Sequence, residues 1–209
     1  MKLREIYVSV DIEANGPIPG EFSMSSFGAF VAGGITLDGE YVSFDYKQHT
    51  NTFYAELKPI SENYKVDAIK VGLLDGFDDT VPDPDGSRRF EWNRKTGQNP
   101  QQAMNSFASW VKSHEQKHDA PAIFMAYPLS FDWLFIYWYF IKFGVECPFG
   151  FSRAIDLKTL YAARTKRAIT RSTKRYIPKK FFSKLPHTHK AVDDAIEQGI
   201  MGMNLLRDL

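Results

Sequence analysis

Asp11 and Glu13 stand one residue apart at the end of an apolar run, Ile6-Tyr7-Val8-Ser9-Val10. On a strand, residues two apart share a face, so both carboxylates point the same way. Carboxylates that close repel each other unless a cation or a proton intervenes. At the end of a buried strand a divalent metal is the economical solution. Asp132, within Phe131-Asp132-Trp133, opens a long apolar helix, where the free backbone N–H groups of the first turn stabilise a carboxylate. His189-Lys190-Ala191-Val192-Asp193-Asp194-Ala195 opens the last helix. A histidine, with an ordinary pKa of about 6.5, suits a group that must take a proton from water near neutrality. His189 and Asp194 are five apart, roughly 500° of helical rotation or about 140° net, so they do not share a helix face. His189 is therefore expected at the helix entrance or in the preceding loop, with Asp194 projecting from the helix. His187 and Asp193 compete for the same two roles. Each piece has an ordinary use on its own: Asp-x-Glu is common, and Asp is favoured in any first helical turn. In this order, however, the set describes a site for two hard divalent cations and one proton acceptor beside a phosphodiester.

The elements that must position these residues follow from hydrophobic patterning. Ile6 to Asp11 reads as a central strand, and Ser26 to Gly33 and Tyr41 to Tyr46 as the next two, joined by an Asp38-Gly39 turn. Phe53 to Leu57 is a further strand, and Val66 to Leu73 a short helix. Asp75 to Gln98, rich in Asp, Gly and Pro, reads as a long loop or lid. Asn99 caps a helix that Pro100 begins, with Met104, Phe107, Trp110 and Val111 on one face. Ala122 to Tyr127 is a strand, and Ser130 caps a helix that Gly144 ends. Asp156 caps a helix reaching Arg164, and the terminal helix runs from His189 to about Leu206. Strands first, then strands alternating with helices, predict an α/β domain with a mixed central sheet.

Composition bounds the rest. The 209 residues carry no break in composition and predict one domain over 1–209. One cysteine, Cys147, excludes an internal disulfide and a multi-cysteine zinc site, and fits a reducing cytoplasmic compartment. Met1-Lys2-Leu3-Arg4-Glu5 runs straight into a strand pattern, so no secretory leader is expected. The apolar run Trp133 to Phe143 is too short for a bilayer, which needs about 20 apolar residues, so no membrane partner is expected. That run is expected to pack in the core, with a homodimer interface as its alternative use.

The net charge of +1 hides an asymmetry. Residues 153–184 contain 11 Lys/Arg and one acid, and the rest of the chain is net acidic. Arg164, Lys166, Arg167, Arg171, Lys174 and Arg175 offer contacts to phosphates, while Tyr161, Tyr176, Phe181 and Phe182 offer stacking surface. A polyanion would be drawn to this segment, which lies just before His189.

The ordered set Val10-Asp11-Ile12-Glu13, Ser130-Phe131-Asp132 and His189-x4-Asp194 resembles the DEDDh branch of the DnaQ-like 3′–5′ exonucleases. Those enzymes carry Asp-x-Glu, Phe-Asp and His-x4-Asp in that order, and only His189 with Asp194 matches the last spacing. Gly16, Phe27-Gly28-Ala29, Pro59-Ile60 with 68–73, and Ile155-Asp156-Leu157-Lys158-Thr159-Leu160 also match the family's pattern. Tyr127-Pro128 stands where the family usually has His-Asn, and Ala14-Asn15 where it often has Thr-Thr. The resemblance implies a ribonuclease H-like fold and hydrolysis from the 3′ end of single-stranded DNA or RNA, with two Mg²⁺ or Mn²⁺ ions. By it, Asp11, Glu13 and Asp194 hold the first metal, Asp11 and Asp132 serve the second, and His189 is the general base. Ala14, Asn15 and Gly16 are implied to meet the terminal nucleotide. The alternative is a catalytically inactive nucleic-acid-binding module of the same fold.

Overall fold

The computed structural model describes residues 2–208; Met1 and Leu209, the two ends of the expected domain, lie outside them. β1 (Leu3–Ala14) is the centre of a six-stranded sheet. Its residues Ile6, Val8, Val10 and Ile12 enter one apolar cluster and Tyr7 enters a second, so both faces of the strand are covered. That is why it reads as a continuous apolar run. β2 (Met24–Thr36) lies antiparallel to β1, with Asp11 opposite Gly28 and Glu13 opposite Ser26. β3 (Tyr41–Ser43) and β4 (Thr52–Glu56) both pair antiparallel with β2. On the other side of β1, β5 (Ala122–Ala126) and β6 (Ala154–Asp156) continue in parallel. The order is β3-β2-β1-β5-β6 with β4 also on β2, a mixed sheet as the sequence predicts.

Six helices accompany the sheet among the described residues: α1 (Val66–Ile69), α2 (Ser87–Thr96), α3 (Pro100–His118), α4 (Leu129–Lys142), α5 (Leu157–Thr165) and α6 (Ala191–Asp208). Met104, Phe107 and Val111 of α3 and Phe135, Ile136, Tyr139 and Phe140 of α4 pack on one face. Leu157 and Tyr161 of α5 and Met201, Met203, Leu205 and Leu206 of α6 pack on the other. Each such side chain contributes about 1.5–3 kcal/mol on burial, offset by the entropy of ordering it. Asn99 caps α3 by accepting from the Gln102 amide at 3.2 Å, and Asp156 caps α5 by accepting from Lys158 and Thr159. Both caps were legible. No helix of the described residues is long and apolar enough to cross a membrane.

Several expectations are corrected. Residues 75–98 are not one long loop, because 87–96 form α2. The Asp83 carboxylate accepts from the Arg88 and Arg89 amides at 3.0 and 3.2 Å and so serves the free N–H groups at that helix start. α2 escapes an apolar-periodicity reading because its inner face includes Arg89 and Asn93 beside Phe90. α4 begins at Leu129, so Ser130 lies inside its first turn and Pro128 is the cap residue. α6 begins at Ala191, after His189. The basic segment folds into three 3-10 turns, 169–171, 174–176 and 179–181. Its Tyr161 and Phe181 are core residues and offer no stacking surface.

Candidate active site

Asp11 and Glu13 project from β1 on the face that α6 covers, and Asp194 projects toward them from the first turn of α6. Carboxylate oxygens of these three residues lie within 4.8 Å of one another. The approach depends on Gly28. It is opposite Asp11, and a Cβ there would sit 2.3 Å from the backbone of Val192, so α6 rests directly on the strand. Gly199 repeats the device about two turns along the helix, where a Cβ would meet Phe30, Ala32 and Ser9 at 2.8–3.0 Å.

Asp132 reaches the same place from α4. Its Oδ1 accepts the Ile12 amide at 3.1 Å, which fastens it to the strand between Asp11 and Glu13. The pairing of β1 with β5 ends at Ser9 and Met125, so the β1 backbone beyond it is free for other partners on that side. Gln198 of α6 uses the same gap. Its Nε2 donates to Val10 O at 3.0 Å and Ser9 Oγ at 3.1 Å, while its Oε1 accepts the Tyr127 amide at 2.8 Å. The Tyr127–Pro128 peptide is cis and leads into α4.

The electrostatics are those of an acidic cluster in which burial outweighs the nearby cations. Asp11 is held well above its ordinary range by burial and then by Asp132, Glu13 and Asp194. Burial, with Asp194 and Asp132, pushes Glu13 up to about 8. Burial pushes Asp132 up to about 7 against the opposing pull of the Ile12 amide. Asp194 is also raised by burial, while His187, the Thr188 amide, Lys174 and His189 pull it down. Four carboxyls that resist ionisation, Asp132 and Asp194 buried and Asp11 and Glu13 half-buried, fit a divalent cation, whose charge would reverse each of these shifts.

His189 lies outside the helix, exposed, in the left-handed region at φ 60°, a conformation that side-chain-bearing residues adopt at a cost. Its carbonyl accepts the Leu73 amide at 2.8 Å. A ligating atom each of His187, His189 and Asp194 fall within 4.8 Å of one another, so both histidines stand beside the cluster. His187 Nδ1 is 3.0 Å from Asp194 Oδ1 and 3.1 Å from Glu197 Oε2. Asp193 points away from the cluster and accepts from the Thr188 hydroxyl at 2.9 Å.

Over Glu13 the chain passes close, since a Cβ on Gly72 would sit 2.8 Å from the Glu13 Cγ. Asp75 holds that segment to the start of α6 through Lys190, 2.6 Å away. Ala14 is buried in the main apolar cluster, and Gly16 is pressed against the Phe22 ring. Asn15 is 1% exposed, yet neither its Nδ2 nor its Oδ1 has a partner. A buried amide left without partners costs about 1–3 kcal/mol per group unless something else bonds it.

Within the basic segment, Arg167, Arg171 and Arg175 all bond Tyr176: the first its carbonyl at 3.4 Å, the others its hydroxyl at 2.9 and 2.7 Å. Lys166 ends α5 in the left-handed conformation, and Arg164 lies in the last turn of that helix. Lys174, one of the expected phosphate contacts, is bonded to the helix that carries Asp194, through Glu197 at 3.3 Å. Sequence reasoning missed Glu197 and Gln198. Their only signal was a position one turn beyond Asp194 on the same helix.

The family model of the Rv2179c-like 3′–5′ exoribonuclease domain matches residues 84–203. The 3′–5′ DNA exonuclease Cap18 of Escherichia coli is 35% identical over 158 residues, covering 76% of this chain and 68% of the relative. Among solved structures, the nuclease domain of 3′hExo, a DEDDh family member bound to rAMP, superposes with a TM-score of 0.66 at 12% identity. That match covers 97% of this chain and 92% of the other. E. coli exonuclease I in complex with a 5cy-dA13 oligonucleotide gives 0.52 at 14% identity, covering 98% of this chain and 41% of the other. At such identities the likeness is one of fold: a curled mixed sheet flanked by helices, of the ribonuclease H-like DEDDh type.

Proposed function

The chain belongs to the Rv2179c-like 3′–5′ exoribonuclease domain family, a family of 3′–5′ exonucleases of DEDDh type, and from that premise we propose that it hydrolyses single-stranded DNA or RNA from the 3′ end at the Asp11–Glu13–Asp132–Asp194 cluster. The observation that carries this reading is the convergence of Asp11, Glu13 and Asp194 within 4.8 Å, with every carboxyl of the cluster raised by burial. Hard oxygen donors suit Mg²⁺ or Mn²⁺. Asp11, Glu13 and Asp194 would hold one ion, and Asp11 with Asp132 a second. When bound, two such ions lower the pKa of an attacking water and neutralise charge on the departing 3′-oxygen.

The residues of the chain supply the rest. His189 accepts the proton of the attacking water; its exposure lets it pass that proton to solvent afterwards, and its position beside Asp194 keeps it near the reaction centre. Ala14, Asn15 and Gly16, the three residues after Glu13, meet the terminal nucleotide where the chain leaves β1. Arg164, Lys166, Arg167, Arg171, Lys174 and Arg175 receive the phosphates of the strand, so binding weakens as salt rises.

Single-turnover cleavage by His189→Ala and His187→Ala, with Mn²⁺ affinity measured by calorimetry, tests the assignment of the base. His189→Ala is expected to lose about 10²–10⁴ in rate with Mn²⁺ binding kept, a general-base loss, and His187→Ala to lose much less. Wild-type turnover in His189→Ala would overturn the role.

A further inference from the structure

Glu197 has no role in the site derived above, yet it is the point where three charged elements meet. It lies on α6 three residues after Asp194, and is 9% exposed. A carboxylate that deeply buried needs partners to stay charged. It has two on the same oxygen: Lys174 Nζ at 3.3 Å and His187 Nδ1 at 3.1 Å. His187 Nδ1 in turn lies 3.0 Å from Asp194 Oδ1. The basic segment is thereby joined to the acidic cluster by one carboxylate.

The backbone under Lys174 is fixed independently. It begins a 3-10 turn, Ser172 two residues before it is fully buried, and the Ser172 carbonyl accepts the hydroxyl of Tyr127, whose amide Gln198 holds. Tyr161 bonds the Tyr176 carbonyl at 3.2 Å, closing the far end of the turn. The Lys174 side chain, bonded to Glu197, is 35% exposed. Its charge also reaches inward, pulling down the carboxyls of Asp11, Asp132 and Asp194.

We propose that Glu197 is a positioning residue for the cleavage reaction: it holds the Lys174 ammonium at the rim of the acidic cluster, where Lys174 bonds a non-bridging oxygen of the substrate phosphate at the reaction centre. This inference rests on the reading of that cluster as the metal-dependent cleavage site. An ammonium has three donor hydrogens, so Lys174 can keep Glu197 and take a phosphate oxygen together. The pairing solves a problem of charge. A polyanion must approach four carboxylates, and a cation fixed by a neighbouring acid offsets that repulsion without a mobile side chain having to be ordered on binding.

The test compares the wild-type chain with Lys174→Ala, Lys174→Arg, Glu197→Gln and, as a control on the parent reading, Asp11→Asn. Binding of a fluorescein-labelled single-stranded 12-mer DNA is followed by anisotropy with Ca²⁺ over a salt series, and single-turnover cleavage is followed with Mn²⁺. Lys174→Ala is expected to flatten the slope of log K against log salt by about 0.7, the loss of one single-strand phosphate contact, and to slow cleavage roughly tenfold or more. Lys174→Arg should restore the slope and part of the rate. Glu197→Gln keeps the lysine charge, so its slope should stay near wild type while its cleavage rate falls. Melting temperatures identify any variant whose fold is lost, and Lys174→Arg carries the comparison in that case. An unchanged slope and an unchanged rate in a folded Lys174→Ala would overturn the proposal and leave the Lys174–Glu197 pair as a tether for the basic segment. Cleavage by Asp11→Asn equal to wild type would instead refute the cluster as the cleavage site, and the salt slope would still decide the role of Lys174.

Discussion

Without a cation, the acidic cluster makes the folded state hold protons that the unfolded chain releases, so stability without metal must fall as pH rises. Glu13 goes from 4.5 to about 8 on folding and Asp132 from 3.8 to about 7, in both cases chiefly through burial. A group whose folded pKa lies above its unfolded value contributes most stability below the unfolded pKa and loses it as pH passes through the folded pKa. Between pH 6.5 and 8.0 the loss is roughly 1–2 kcal/mol for Glu13 and about half that for Asp132. Asp11 adds in the same direction. That window also avoids acid titration of His114 and His118, both held below 6.5 by burial. For a chain of this length the summed loss corresponds to a fall of roughly 5–10 °C in Tm. The assay is a thermal melt at pH 6.5, 7.25 and 8.0 in EDTA, repeated in excess Mn²⁺ and with Glu13→Gln. In EDTA the Tm should fall across the series; with Mn²⁺ the fall should disappear, because the ion prefers the ionised cluster. Glu13→Gln should remove a large share of the dependence, with Asp132 and Asp11 carrying the remainder. A flat or rising Tm in EDTA, or an identical slope in Glu13→Gln, would refute the reasoning.

Two packing predictions accompany it. Gly28→Ala places a methyl 2.3 Å from the Val192 backbone, so α6 must shift; a loss of about 1–3 kcal/mol in chemical denaturation is expected, with cleavage reduced more than stability because Asp194 moves with the helix. Gln198→Leu leaves the Tyr127 amide and the Val10 carbonyl without this partner; urea unfolding should show a loss of about 2–4 kcal/mol, and a change below about 0.5 kcal/mol would contradict the bridge.

Much of the site was legible because it rests on local rules. The spacing of Asp11 and Glu13 puts both on one strand face, and the rotation between His189 and Asp194 correctly separates a pre-helical histidine from a helical acid. The caps Asn99 and Asp156 and the mixed character of the sheet follow from patterns a few residues long. What was not legible depends on contacts between distant segments. The Ile12–Asp132 bond spans 120 positions, and nothing local marks Glu197 as the partner of Lys174. α2 was hidden because a buried arginine and a buried asparagine occupy the face where apolar residues are sought. Tyr161 and Phe181 misled in the opposite sense, since aromatic residues among lysines and arginines suit stacking as well as they suit the core they enter.

The most direct measurement is incubation of the purified chain with 5′-labelled single-stranded DNA and RNA of matched sequence, in Mg²⁺, Mn²⁺ or EDTA, beside Asp11→Asn. The account predicts a metal-dependent ladder that shortens from the 3′ end and is absent in Asp11→Asn and in EDTA. Intact strands under all metal conditions, or equal cleavage by Asp11→Asn, would contradict it.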